Sequence, residues 1–203
     1  MNAAILLRQK ILDLAIRGKL TKREKGDEPA SLLLARIAAE KEKRGVKVGR
    51  ARTSAAPQPI TDVETLFELP KGWAWCRLRI LGEFFGGHTP SLSNPEFWEK
   101  GNVLWVTSKD MKTKYIEDTG VKVSRKGAAE LKLLPEGTVL MVTRSGILRR
   151  TFPVALAAKP LTINQDQRAL VLYEPLMSEY VYVLLKAMEP IILKDYRKTG
   201  TTV

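Results

Sequence analysis

Apolar positions along this chain follow two regimes. In the first, Ile5, Leu6, Leu7, Ile11, Leu12, Leu14, Ala15 and Ile16 crowd one short stretch, with Leu7, Ile11 and Leu14 at helical spacing. This pattern predicts a helix over residues 3–17 that Gly18 stops at its C′ position. The stripe is wider than a lone surface helix needs, so the helix wants a partner, from its own chain or another. A second helix is predicted over 28–44. Pro29 would sit at its first position, Leu32, Leu33, Leu34 and Ile37 on its apolar side, and Gly45 beyond its charged end. The two make an αα-hairpin or part of a longer bundle. Over 45–62 no periodicity survives: Gly45, Gly49, Ser54, Pro57 and Pro59 mark a linker, with Lys47, Arg50 and Arg52 interspersed.

In the second regime the apolar runs are short. Residues 75–81 alternate as a strand, and 84–90 read as a glycine-rich turn. Residues 94–98 form a turn or a single helical turn, and 103–107 a buried strand. Ser124 can cap a short helix through Leu131. Pro135 and Gly137 supply a tight turn into the apolar run Val139, Leu140, Met141, Val142, beyond which Thr143, Arg144 and Ser145 follow. Further strands are predicted at 152–157 and 168–172, separated by Pro160 and the polar residues 164–167. A helix over 176–188 shows Met177, Tyr180, Val181, Leu184, Leu185 and Met188 on one side, and Pro190 ends it. Trp73, Trp75, Phe84, Phe85, Phe97, Trp98 and Trp105 are expected to pack rather than to stack on bases. The predicted fold class is α/β in the α+β sense, a helical N-terminal arm followed by a β-rich mixed α/β domain. The expected division is 1–45, a linker at 46–65, and 66–203.

Composition narrows the function. The 203 residues carry 34 basic and 22 acidic side chains, a net charge of +12. Residues 1–60 hold 14 basic and 6 acidic side chains, and 61–203 hold 20 and 16. Such an excess favours polyanions, nucleic acid before anionic membrane. No run approaches the length of a membrane-spanning helix, and the first residues lack the features of a signal peptide. Cys76 is the only cysteine, which excludes an internal disulfide and a cysteine-rich zinc site. The expected compartment is the cytoplasm.

Candidate DNA-contacting residues sit at strand ends and in loops. Thr107, Ser108, Lys109, Lys112 and Lys114 make one cluster. Thr143, Arg144, Ser145, Arg149 and Arg150 make a second. Asn164, Gln165, Gln167 and Arg168 make a third, rich in amide forks that match adenine edges. Lys194, Arg197, Lys198, Thr199 and Thr201 could grip phosphates. Each cluster is also what an ordinary solvated loop looks like, and the Asn164–Gln165 pair could be a buried structural brace. Leu7, Ile11, Leu14, Leu33 and Ile37 are the candidate partner-binding positions. Catalysis has poorer support. His88 is the only histidine, and no nucleophile-elbow sequence exists. Asp118 with Glu130 and Lys132 mimics a magnesium-nuclease pattern, but the pattern is short and common in charged chains. Asn94-Pro95-Glu96-Phe97 resembles the amino-methyltransferase tetrapeptide with Glu96 in place of a proline. No catalytic residue, metal ligand or cofactor is expected.

Eight phrases, in order, resemble the specificity subunits of type I restriction–modification systems. They are residues 6–20, 27–33, 69–75, 86–91, 94–98, 105–107, 134–140 and 162–165, and they extend over nearly the whole chain. The resemblance implies that the second domain is a target recognition domain reading half of a split DNA site. It also implies that the helices belong to a region that spaces two such domains and docks methyltransferase and restriction subunits. The catalysis would then belong to those partners, and the helices could also mediate self-association. Full-length members carry two recognition domains, whereas this chain has room for one. It stops at Thr201-Thr202-Val203, inside a phrase that in the family runs on, so a fragment or half-length subunit is expected. Thr143-Arg144 stands where the family usually has Ser-Arg.

Overall fold

The computed structural model describes residues 3–22, 24–45 and 60–199, apart from the side chains of Val63 and residues 195–199. The chain divides into two compact units, Met1–Gly82 and Glu83–Val203. The Lys198 and Thr199 side chains and all of Thr201 lie outside the described residues, as does most of the predicted linker.

In the first unit, α1 spans Ala3–Ile16 and α2 spans Ala30–Lys43. α1 ends as its glycine predicts. Gly18 has φ +64°, its N–H donates to Ala15 O (3.0 Å), and the Lys19 N–H donates to Leu14 O (2.9 Å). This is a Schellman closure, which satisfies carbonyls the helix would otherwise leave open. A Cβ on Gly18 would lie 2.6 Å from Pro70 Cγ, so close packing as well as φ requires glycine there. Pro29 is the N-cap of α2 rather than its first helical residue. α2 buries Ile37, and its Ala30 N–H donates to Gly72 O (2.9 Å). Phe67 packs against Trp75, with the Arg17 guanidinium 4.7 Å from the Phe67 ring centre.

The strand predicted over 75–81 is absent. Arg77 caps a short helix, α3, at Leu78–Leu81, and the following strand β1 is Gly82–Gly86. Alternation over so few apolar residues fits either element, and the helical turn places Leu81 in the core. The predicted turn at 84–90 is correspondingly displaced, since its first three residues belong to β1.

The second unit holds β2 (Val103–Val106), β3 (Tyr115–Ile116), β4 (Lys122–Val123), β5 (Val139–Val142), β6 (Val154–Ala157), β7 (Leu161–Ile163) and β8 (Gln167–Leu172). They form a five-stranded sheet ordered β1-β8-β5-β6-β3 and a three-stranded sheet ordered β4-β2-β7. β5 is the centre of the larger sheet. It is antiparallel to both β6 and β8, and all four of its residues are buried. β7, β3 and β4 were not predicted, being two or three residues long and specified by pairing rather than by local pattern. In β7 the buried Thr162 hydroxyl donates to Leu104 O (2.9 Å), which removes the penalty of a hydroxyl in the core. α4 (Arg125–Ala129) is capped by Ser124, as expected.

The last helix, α5, spans Ser178–Thr199 and runs through Pro190. Proline lacks the N–H that would reach Lys186 O, but it removes only that bond. Leu193, beyond the proline, is buried, and Glu189 is bonded to the body of the unit, so tertiary anchoring carries the helix past its predicted stop.

Candidate nucleic-acid interface

Parallel pairing brings the ends of β2 and β7 together, with Val106 opposite Ile163. The Asn164 N–H donates to Val106 O (3.0 Å) across that end. Antiparallel pairing brings the end of β5 to the start of β8, with Val142 opposite Gln167. β1 joins the same edge: the His88 N–H donates to Ile163 O (3.1 Å), and the Trp105 indole N–H donates to His88 O (3.2 Å). A Cβ on Gly87 would lie 1.9 Å from Asn164 O, so this closure depends on a backbone with no side chain. Loops 87–89, 107–110, 143–150 and 164–166 therefore share one edge of the second unit.

Each loop is fixed by a polar side chain. Asp110 Oδ2 accepts from the Thr107 N–H and hydroxyl (both 2.8 Å), while its Oδ1 accepts from the Gly120 N–H (2.9 Å). This tightens the turn that carries Ser108 and the exposed Lys109. After β5, the Thr143 and Arg144 N–H groups both donate to Asp166 O (2.9 and 3.1 Å). The Arg144 Nε lies 3.5 Å from Asp166 Oδ1 as an exposed ion pair. Ser145 caps a 3-10 turn at Gly146–Arg149, whose Leu148 is fully buried and anchors it beneath the exposed Arg149 and Arg150.

Within the third cluster the four side chains differ. Asn164 is 7% exposed, and its Oδ1 accepts from the Asp166 N–H (3.2 Å), so it acts as a brace inside the turn. Gln167 is fully buried, and neither atom of its amide has a hydrogen-bond partner among the described residues. Gln165 is exposed and accepts from the Thr89 hydroxyl; Arg168 is exposed beside Gly86. Surface access to a partner thus falls to Gln165 and Arg168.

One lysine of the first cluster lies apart from this edge. Lys114 is salt-bridged to Glu179 at the start of α5, close to where Ser178 bonds Gly137 O ahead of β5. The hydrogen bond with Glu179 pushes the Lys114 ammonium above the usual lysine range. Lys112 is exposed just past the buried Met111. Asp110, Asp166 and Thr89 were not singled out from the sequence. For the two aspartates the available signal is an acidic residue inside an otherwise basic or amide-rich loop.

Two members of the nuclease-like trio are engaged with other residues. Asp118 is salt-bridged to Lys122 (2.8 Å), and that hydrogen bond, helped by the Thr119 N–H, holds its carboxyl below the usual range. The Lys132 ammonium lies 5.0 Å from the Phe85 ring centre. Among the described residues, no group of three His, Cys, Asp or Glu side chains could share a metal ion, and no helix is long and apolar enough to cross a membrane.

The aromatic residues pack to different degrees. Trp105 is buried and meets Trp98 edge-on at 5.1 Å, whereas Phe84 is exposed. In the first unit Leu7 and Ile11 are exposed, Leu14 and Leu33 half-buried, and Ile37 buried.

No protein-family model matches the chain. Over 131 residues it is 33% identical to the type I restriction enzyme EcoR124I/EcoR124II specificity subunit of Escherichia coli, a match covering 64% of this chain and 32% of that one. It is 49% identical over 82 residues to the EcoAI specificity subunit of E. coli, covering 40% and 14% of the two chains. With the MjaIX specificity subunit of Methanocaldococcus jannaschii it shares 35% identity over 124 residues, covering 59% and 28%. The chain therefore spans about a third or less of the length of these curated relatives. Among solved structures, it matches a chain from work on complex assembly and conformational transition of the type I R-M system with a TM-score of 0.53 at 19% identity. That match covers 98% of this chain and 43% of the other. The HsdS subunit from Thermoanaerobacter tengcongensis matches with a TM-score of 0.50 at 18% identity, covering 98% and 44%. By sequence the chain is a homologue of part of the type I restriction enzyme specificity subunits, and by structure it shares the fold of the solved HsdS subunit.

Proposed function

We propose that this chain is a non-catalytic DNA-reading module that recognises part of a duplex target and directs methyltransferase and restriction subunits to it. The observation that carries this reading is the convergence of the β1, β2, β5 and β7 ends on one edge, where Lys109, Arg144, Arg149, Arg150, Gln165 and Arg168 are exposed. Sequence similarity to specificity subunits supports it independently. Exposed lysines and arginines would hold the duplex through its phosphates, and forked donors on short rigid turns would read base edges. In this reading the second unit, Glu83–Val203, is the body of the recognition domain expected at 66–203, 46–65 is a tether, and 1–45 is a helical region whose exposed Leu7 and Ile11 meet a partner helix. Such a module would work in the cytoplasm.

The test is selection of bound duplexes from a random pool near physiological salt. The reading expects one enriched base pattern. Retention of duplexes with no shared pattern would reduce the chain to a general polyanion binder.

A further inference from the structure

We propose that Arg144 reads a guanine and that Asp166 is the positioning residue that aims it; this rests on the DNA-recognition reading above. Three constraints fix the pair. Asp166 O accepts from the N–H groups of Thr143 and Arg144, which locks the end of β5 to the residue preceding β8 (2.9 and 3.1 Å). The Asp166 N–H is in turn held by Asn164 Oδ1 (3.2 Å), from a side chain buried beneath the turn. Finally, Asp166 Oδ1 lies 3.5 Å from Arg144 Nε, with 59% of the arginine side chain still exposed.

A carboxylate beside Nε leaves both Nη groups of this exposed guanidinium available to a partner. Two parallel donors match O6 and N7 of guanine in the major groove, whereas adenine offers a donor where guanine has O6. The same carboxylate argues against a phosphate partner. It offsets part of the arginine's charge and so disfavours an anion brought alongside, while the Nη donors stay available to a neutral base edge. The two backbone bonds to Asp166 O fix the point from which this side chain leaves the loop before DNA arrives. Lysine would substitute poorly, since its ammonium lacks the planar fork that can meet a carboxylate on one side and a base edge on the other.

The experiment is duplex selection followed by affinity measurement on single-base variants of the selected site, using the full chain and Arg144→Ala, Arg144→Lys and Asp166→Asn. The wild type should select a pattern containing guanine. Both Arg144 variants should lose preference at one guanine by about tenfold or more, leaving the other positions unchanged. Asp166→Asn should weaken preference at that same guanine while tightening binding to random duplex, because one negative charge is gone. Uniform loss on all duplexes in Arg144→Ala would overturn the assignment in favour of a phosphate contact. A change at a different position in Asp166→Asn would also overturn it, because Asp166 would then read a base itself. Unaltered selectivity in Asp166→Asn would remove its positioning role. The Arg144→Lys arm does not depend on Asp166→Asn folding, because it alters an exposed side chain. Failure of the wild type to select any pattern is a separate result and sinks the recognition reading itself.

Discussion

Glu189 of α5 accepts hydrogen bonds from the Thr151 hydroxyl (2.7 Å) and the Phe152 N–H (2.8 Å), tying the last helix to the segment that follows Arg149 and Arg150. Lys186 completes the arrangement through a salt bridge to the same carboxyl (2.5 Å). Burial disfavours the charged form of Glu189, but the bonds from Lys186, Thr151 and Phe152 outweigh it and hold the carboxyl below its usual range. A carboxyl lowered in this way stabilises the fold above its unfolded-state value, and that contribution disappears as pH falls through the folded-state value. Glu189→Gln should therefore flatten the acid limb of the stability curve, measured by chemical unfolding from neutral pH down to about pH 3. Glu189→Ala, which strands the Phe152 N–H, should destabilise by about 1–3 kcal/mol at neutral pH. An acid limb unchanged in both variants would contradict this role.

Gly87→Ala should be among the most damaging single changes. The added methyl would lie within 2 Å of Asn164 backbone, with Ile163 O also close, so the loops themselves must separate. We expect a loss of about 1–3 kcal/mol or more in thermal unfolding, together with loss of sequence preference in DNA binding. Unchanged stability would show that this edge is not closed as described.

Gln167→Met should be neutral or stabilising. The amide is fully buried and unpartnered among the described residues, so replacing it with an apolar side chain of similar length removes a desolvation penalty of about 1–3 kcal/mol without removing a hydrogen bond. A rise in melting temperature with unaltered base preference is the expected outcome. Lost base preference would show that Gln167 leaves the core to meet DNA.

Arg150→Ala should weaken binding to every duplex by a similar factor and reduce the slope of log affinity against log salt by about 1, as for a single phosphate contact. Arg144→Ala should differ by acting on base preference. Titrations on matched and random duplexes at several salt concentrations separate the two behaviours.

Much of this architecture was legible where local chemistry and burial agree. Val139 to Val142 is an apolar run preceded by the Pro135 and Gly137 turn, and it is the buried centre of the larger sheet. Gly18 stops α1 as its conformational freedom predicts. Misreadings arose where tertiary contacts overrode local pattern. Residues 78–81 coil although their alternation suggests a strand, Phe84 to Gly86 extend although glycine suggests a turn, and α5 continues through Pro190. The edge itself followed from strand ends, but sequence could not rank its polar residues. Asn164, Gln165 and Gln167 offer the same amide chemistry, yet a brace, an exposed side chain and a core residue result. Those fates depend on which backbone lies opposite, and only the fold supplies that.

The most direct measurement is a competition titration of the full chain between its best selected duplex and the same duplex with the site scrambled, at about 150 mM salt. Recognition through this edge predicts that the selected site competes at least roughly tenfold better, the discrimination expected of a single well-placed base contact. Equal competition by the two duplexes would contradict the account.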